Sequence, residues 1–208
     1  MKKVQLIALG GGSGSGKTTI VNRLREAFPD SSFFTYDAYY KSFPELSLEE
    51  RAKLNFDDPS ILDEELFLKD LSSIKKGTAI DIPVYDFASH LRKEGVSQHV
   101  EPASIVFVDG VLIYTIPEPR KYFDYLIYVH CDADIRLARR ILRDSEERGR
   151  TPRSVISQYL ATVRPMHYKY VEKGREIADY IYDNTDNNGL KEEEIAKLIS
   201  SIKQSLNQ

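Results

Sequence analysis

Apolar residues fall along this chain in two alternating patterns. Residues 4–9, 105–108 and 125–129 are almost continuously apolar, as in strands covered on both faces. Between such runs, apolar positions recur every three or four residues, the period of a helix with one buried side. The pattern predicts core strands over 4–10, 32–37, 104–109, 125–131 and 179–183. It predicts helices over 17–28, 47–54, 61–75, 133–147, 153–168 and 192–205. Such alternation specifies an α/β fold, a parallel sheet with crossover helices. One segment departs from it. Residues 78–85 and 95–100 read as short strands, with Ile80, Ile82 and Val84 alternating with Asp81 and Pro83. We read 78–102 as a β-hairpin inserted before the third core strand, over the mouth of a site at the C-terminal sheet edge.

Composition adds bounds. The 208 residues are 41% hydrophobic and 29% charged, enough for one ordinary core. Residues 1–208 therefore read as a single domain. Lys plus Arg is 29 and Asp plus Glu 32, a net −3, which argues against a dedicated nucleic-acid binder. No apolar run reaches the roughly 18 residues of a membrane span. A single cysteine, Cys131, excludes an intrachain disulfide, and with the four histidines it makes no zinc spacing. The expectation is a cytoplasmic protein with a small-molecule partner and neither nucleic acid nor membrane. The charge is uneven, however. Residues 136–175 hold 11 Lys/Arg against 4 Asp/Glu, in a chain otherwise acidic, which points to a specific anionic ligand.

The chemistry begins at residues 11–18, Gly-Gly-Ser-Gly-Ser-Gly-Lys-Thr, which match G-x-x-x-x-G-K-[ST] between a buried strand and a helix. The backbone N–H groups of Gly11, Gly12, Ser13, Gly14, Ser15 and Gly16, continuing to Thr19, are placed to cradle phosphates at a helix N-terminus. Lys17 would reach the β- and γ-phosphates and the Thr18 hydroxyl would ligate Mg²⁺. The motif fixes nucleoside triphosphate binding but not the fate of the γ-phosphate. Asp109, ending the run 105–108, is placed to hold the metal. Asp37, ending the run 33–36, puts a second carboxylate at the same loop, able to hold metal or to take a proton from an attacking hydroxyl. The Asn-Lys-x-Asp loop of a base-specific GTPase is missing; the nearest segment, Asn184-Thr185-Asp186-Asn187, lacks the lysine. Arg136, Arg139, Arg140 and Arg143 fall at helical spacing, with Arg148 and Arg150 beyond. They suit an Arg-rich helical lid, residues 136–165, that offsets phosphoryl charge and excludes water. Tyr39, Tyr40, Phe56, Tyr85 and Phe87, with Asp57, His90 and Arg92, suit a planar ring carrying a sugar. The residues alone give a kinase of a small polar acceptor.

Further blocks make the chain similar to the uridine–cytidine kinase family, within the uridine kinase and phosphoribulokinase group. They include Asp37 with Tyr40 and Lys41, Asn55-Phe56-Asp57-Asp58-Pro59, and Pro83-Val84-Tyr85-Asp86-Phe87 with His90 and Arg92. Later come Asp132-Ala133-Asp134, Arg139-Arg140-Ile141, Arg143-Asp144, Glu147-Arg148-Gly149-Arg150, Gln158-Tyr159, Pro165 and Ala178-Asp179. The resemblance spans residues 4–183. It implies a three-layer P-loop kinase with a five-stranded parallel sheet, an inserted β-hairpin and an Arg-rich lid. It implies ATP- or GTP-dependent phosphorylation of the 5′-hydroxyl of uridine or cytidine, with Mg²⁺. Asp37 is then the base and a metal neighbour. Asp57 binds ribose with help from Arg140 or Arg143. Tyr85 and His90 read the pyrimidine edge, with Phe87 against the ring. Tyr40, Arg150 and Gln158 line the nucleoside pocket, and Arg143 and Arg148 act near the phosphates. The resemblance also implies a homo-oligomer, tetramer or dimer. Asp109-Gly110 replaces the family's usual Glu-Gly, so this shorter carboxylate is expected to reach the metal through water. The segment Glu172-Lys173-Gly174-Arg175 and the tail after 183 also depart from the family pattern. Two alternatives stand beside this reading. One is a P-loop kinase of another small acceptor, such as nicotinamide riboside, pantothenate or a sugar phosphate. The other is an NTPase module without an acceptor.

Overall fold

The computed structural model describes residues 3–186 and 189–206; Asn187, the last residue of the loop singled out above, lies outside them. Five parallel strands stand in the order β2-β5-β1-β6-β7. They are β1 Gln5–Gly10, β2 Ser31–Thr35, β5 Ile105–Gly110, β6 Tyr125–His130 and β7 Tyr180–Asp183. The hairpin strands β3 Ile80–Asp86 and β4 Leu91–Val100 form a separate antiparallel pair. Successive strand residues point to opposite faces, which is why the runs are continuously apolar. On β1, Ile7 and Leu9 join one core cluster, while Leu6 and Ala8 join the other. The first cluster is closed by Ile20, Val21 and Leu24 of helix α1 (Lys17–Ala27) and by Ile195, Leu198 and Ile202 of the last helix, Glu192–Leu206. The second is closed by helix Glu64–Lys75, which brings Phe67, Leu71 and Ile74, and by Ile80 and Ile82 of the hairpin. The Tyr36 ring stacks on Phe67 at 3.9 Å between centroids. The result is the three-layer α/β arrangement. Each fully buried aliphatic side chain in it contributes about 1.5–3 kcal/mol.

The topology places the site. β1 is central, with β5 on one side and β6 on the other, so connections leave in both directions and a crevice opens at the strands' C-terminal ends. Registers Leu9↔Asp109 and Thr35↔Asp109 bring three strand ends level there. The Tyr114 hydroxyl pins the root of the loop: it accepts the Gly10 N–H at 3.2 Å and donates to the Ile127 carbonyl at 2.5 Å.

Several boundaries differ from the sequence expectation. β2 stops at Thr35, whose hydroxyl accepts the Asp37 N–H at 3.2 Å and turns Tyr36–Tyr39 into a 3-10 helix. Asp37 therefore stands on that turn rather than at a strand end. The expected helix over 47–54 is one turn, α2 Leu48–Arg51, nucleated by a Ser47/Glu50 capping box. Helix α3 starts at Glu64 rather than 61, because the Asp63 carboxylate accepts the Leu66 N–H and caps it there. In the hairpin, β4 begins at Leu91 rather than 95. Arg92 pairs with Tyr85 across the ladder, and the connection is only residues 87–90, with His90 at φ 56°. The polar residues 92–94 belong to a largely solvated ribbon, so their polarity did not mark a loop. Beyond the short helix α4 (Pro119–Tyr122), α5 spans Ala133–Glu147. Helix α6, Pro152–Gln158, then continues through a π turn Tyr159–Val163, helix α7 Arg164–Met166 and a second π turn His167–Val171. Pro165, which has no N–H to give, sits between the two π turns. A short α8, Gly174–Ile177, precedes β7, and Glu192–Leu206 is α9.

Candidate active site

A cleft of about 790 Å³ runs across the C-terminal sheet edge from the β1–α1 loop to the hairpin. At its phosphate end the loop curls tightly. Gly14 (φ 82°) and Gly16 (φ 91°) hold left-handed conformations that side chains resist. A Cβ at Gly14 would stand 2.6 Å from the Arg136 carbonyl oxygen, and one at Gly16 would meet the Asn184 amide. That amide donates to the Ser15 carbonyl at 2.8 Å, so the residue after β7 braces the loop from behind. The Lys17 ammonium spans the loop, donating to the carbonyls of Gly11 (2.8 Å) and Gly12 (3.2 Å). Burial lowers its pKa, while Asp37 and Asp109 oppose that loss of charge. Asp109 is pushed up to about 6, first by burial and then by the neighbouring Asp37 charge, against the pull of Lys17. Two crowded carboxylates, one of them deeply buried, make a pair that a divalent cation would relieve. Among the described residues no cluster of three acidic, His or Cys side chains could hold a metal alone. A cation here would have to share the two carboxylates with the exposed Thr18 hydroxyl and the ligand's phosphates. Asp37 Oδ1 itself accepts the Val111 N–H at 3.2 Å, fixing that carboxylate between the loop and the rest of the cleft.

At the other end aromatic rings form a wall. Tyr40 lies edge-on to Phe56 and Phe87, at 5.6 and 6.2 Å between centroids. His90 stacks on Phe56 at 4.7 Å, 21° from parallel. Burial and then Arg150, Arg51 and Arg148 lower the His90 pKa, favouring its neutral form. Asp57 is held near them. Burial raises its pKa, Arg140 opposes, and Thr162 donates to it at 3.2 Å. A mostly buried carboxylate beside a free concave surface is a receptor for hydroxyl groups.

The arginines of α5 and of the turn after it divide into distinct roles. Arg136 is buried behind the loop, its Nε donating to the Cys131 carbonyl at 2.9 Å, with its guanidinium against Gly12. Arg139 straps the segment after β7, donating to the carbonyls of Asn184 and Asp186 at 3.1 Å each. Arg140 and Arg143 bond the fully buried carboxylate of Asp144. Arg150 and Arg140 both donate to Gln158 Oε1, at 2.5 and 2.6 Å. Arg148 lies over the Phe87 ring at 4.7 Å and so joins the turn after α5 to the hairpin.

The cleft brings together Ser13, Gly14, Gly16, Lys17, Thr18, Thr19, Asp37, Asp109, Tyr40, Asp57, Phe87, His90, Arg140, Arg143, Arg148, Arg150 and Gln158. It does not include Gly11, Gly12, Ser15 or Tyr85 among its lining residues. The first three form the back of the loop. Tyr85 is buried behind Tyr40 and Phe87, at 5.2 Å from each ring. It supports the aromatic wall rather than facing the cleft. Arg92 also lies outside: it straps the carbonyls of Tyr39 (2.9 Å) and Tyr40 (2.8 Å) to Asp63. Sequence reasoning missed Thr162 and the bracing roles of Asn184 and Asp144. Thr162 reaches Asp57 from within the π turn, and nothing in the sequence announces that turn. Asp144 stands in the sequence only as the neighbour of Arg143, and nothing along the chain marks its burial among four arginines.

No helix among the described residues is long and apolar enough to cross a membrane. The model of the phosphoribulokinase / uridine kinase family matches residues 6–191. A uridine kinase of Clostridium novyi (strain NT) is 40% identical over 210 residues, covering 100% of this chain and 99% of its own. One from Chloroflexus aggregans is 38% identical over 203 residues, covering 97% of each chain. Among solved structures, a phosphoribulokinase from Rhodobacter spheroides superposes with a TM-score of 0.64 at 13% identity. It covers 88% of this chain and 71% of its own, and it shows the fold alone.

Proposed function

This chain belongs to the phosphoribulokinase / uridine kinase family, and from that premise we propose that it transfers the γ-phosphoryl group of ATP to the 5′-hydroxyl of uridine or cytidine. The observation that carries the reading is the continuity of the cleft. One space joins the Lys17 loop and the Asp37–Asp109 pair to Asp57, His90 and the aromatic wall, under one set of arginines. Supporting it, the whole-length relatives named above are uridine kinases.

The roles follow from position. The loop N–H groups and Lys17 bind the triphosphate. Thr18, Asp37 and Asp109 would hold Mg²⁺, which supplies charge neutralisation of the phosphates. Asp57 accepts hydrogen bonds from the ribose hydroxyls, and Tyr40, Phe56 and Phe87 pack the base. Neutral His90 and the Gln158 amide read its polar edge. Asp37, fixed between loop and acceptor wall, takes the proton of the 5′-hydroxyl as that oxygen forms its bond to the γ-phosphorus. The bond from the γ-phosphorus to the β,γ-bridging oxygen breaks, and ADP leaves. Arg143 and Arg148 stabilise the charge spread over the transferring group. The closed lid keeps water from competing for it.

The test is ADP release from MgATP across a panel of nucleosides, each against a control without acceptor. Turnover that requires uridine or cytidine supports the reading. Turnover only with another acceptor keeps the kinase and removes the pyrimidine assignment, and equal turnover without any acceptor overturns both.

A further inference from the structure

The least expected feature of the lid is a carboxylate that cannot touch either substrate. Asp144 lies on α5 with its side chain fully buried, and it is not among the residues lining the cleft. Its Oδ1 accepts from Nε and Nη2 of Arg143 at 2.9 and 2.8 Å, and stands 3.6 Å from Arg148 Nη1. Its Oδ2 accepts from Arg140 Nε at 3.3 Å and stands 3.7 Å from Arg150 Nη1. Its carbonyl accepts the Arg150 N–H at 3.0 Å, closing the turn that follows the helix. One oxygen therefore serves the two arginines assigned to the phosphates. The other serves the two that converge on Gln158 at the nucleoside end.

Four guanidiniums gathered around one carboxylate remain strongly cationic as a group. Without that anion they would repel one another and spread into solvent, since Arg143, Arg148 and Arg150 are each about a third exposed. Each would then have to be reordered when substrates bind, at the expense of side-chain entropy. A fixed node holds them in advance where charge develops, and preorganisation of this kind makes electrostatic stabilisation effective. We propose that Asp144 is a positioning residue for the transfer step, acting through Arg143 and Arg148 on the phosphates and through Arg140 and Arg150 on the nucleoside. This rests on the kinase reading given above.

A double-mutant cycle tests it. Asp144→Asn keeps the shape and removes the charge. The expected result is a kcat about 10- to 100-fold lower and a raised KM for the nucleoside. In an Arg143→Gln background the same substitution should lower kcat by at least about threefold less than it does in the wild-type background, because one of the two arginines through which it acts on the phosphates is already gone. Losses that multiply in full would assign Asp144 to general stability and overturn the proposal. So would a single variant whose kcat and both KM values stay within about twofold of wild type. If Asp144→Asn does not fold, Asp144→Glu takes its place: it keeps the charge but pushes the node one methylene too far, and the same non-additive loss is expected. The wild-type control separates the two readings. An active wild type with unaffected variants sinks only the role of Asp144. Turnover with a different acceptor moves the cycle to that acceptor, and a wild type inert with every acceptor overturns both readings.

Discussion

The two ends of the cleft are built by different means. The phosphate end is one contiguous segment, residues 11–18, whose function is carried mainly by backbone N–H groups and by two glycines in left-handed conformations. The acceptor end is assembled from side chains far apart in the chain: Tyr40, Asp57, His90, Arg140 and Gln158 come from five separate segments. A backbone-built site depends on local geometry and is robust to what surrounds it. A side-chain-built site depends on each support holding its neighbour, as Thr162 holds Asp57 and Gln158 receives two arginines. In the proposed function the first end binds what all triphosphates share, and the second discriminates among acceptors.

The largest expected break lies where the two ends meet. Asp37→Asn should leave melting temperature near wild type and lower turnover by about 10²–10⁴, the usual share of a general base. Near-wild-type turnover would remove Asp37 from that role and leave the ends linked by proximity alone. Next is Asp109. Its pKa, pushed up to about 6 in the folded chain, exceeds the ordinary aspartate value of 3.8, so between those limits the folded chain holds a proton that the unfolded chain has released. The resulting stability is fully present below 3.8 and lost as pH rises through about 6, a change of about 2–3 kcal/mol in the ligand-free protein. Asp109→Asn should flatten that slope and raise the melting temperature at pH 7. An unaltered slope, read as melting temperature against pH, would place the strain elsewhere.

The remaining tests sharpen the division. Asp57→Asn should raise the nucleoside KM by about 10- to 100-fold, the worth of hydrogen bonds to a charged acceptor, and leave the ATP KM within about twofold. A parallel rise in both constants would mean that the two ends are not separable. Thr162→Val should have the smallest effect, about a threefold rise in nucleoside KM, since it removes one hydrogen bond that positions Asp57. No change in steady-state kinetics would reduce the Thr162 contact to packing.

How much of this was legible beforehand follows the same division. The loop motif and its flanking strand and helix could be read because they are local, and the apolar runs forecast β1, β5 and β6 within a residue or two at each end. Asp37 was found as a residue but misplaced as a strand end, because a single Thr35 hydroxyl turns the chain before it. The hairpin was found but given too long a connection, since a solvated two-stranded ribbon carries polar residues on its strands as readily as in its turn. The six arginines were found as a group, yet their division of labour was not. Arg136 and Arg139 brace the loop and the segment after β7, Arg139 lining the cleft as well, and only the other four gather around Asp144.

By itself the sequence determined what depends on neighbours along the chain: strands covered on both faces, helix spacing, and a glycine-rich turn before Lys17. Tertiary structure alone decided what depends on convergence across large sequence separations. It put Tyr85 behind the wall and His90 against Phe56, tied Asn184 to Ser15, and buried Asp144 among four arginines. The physical reason is that a backbone conformation is set within a few residues. The partner of a buried side chain is set only when distant segments pack together, and a polar residue written for that partner looks, in the sequence, like any residue bound for water.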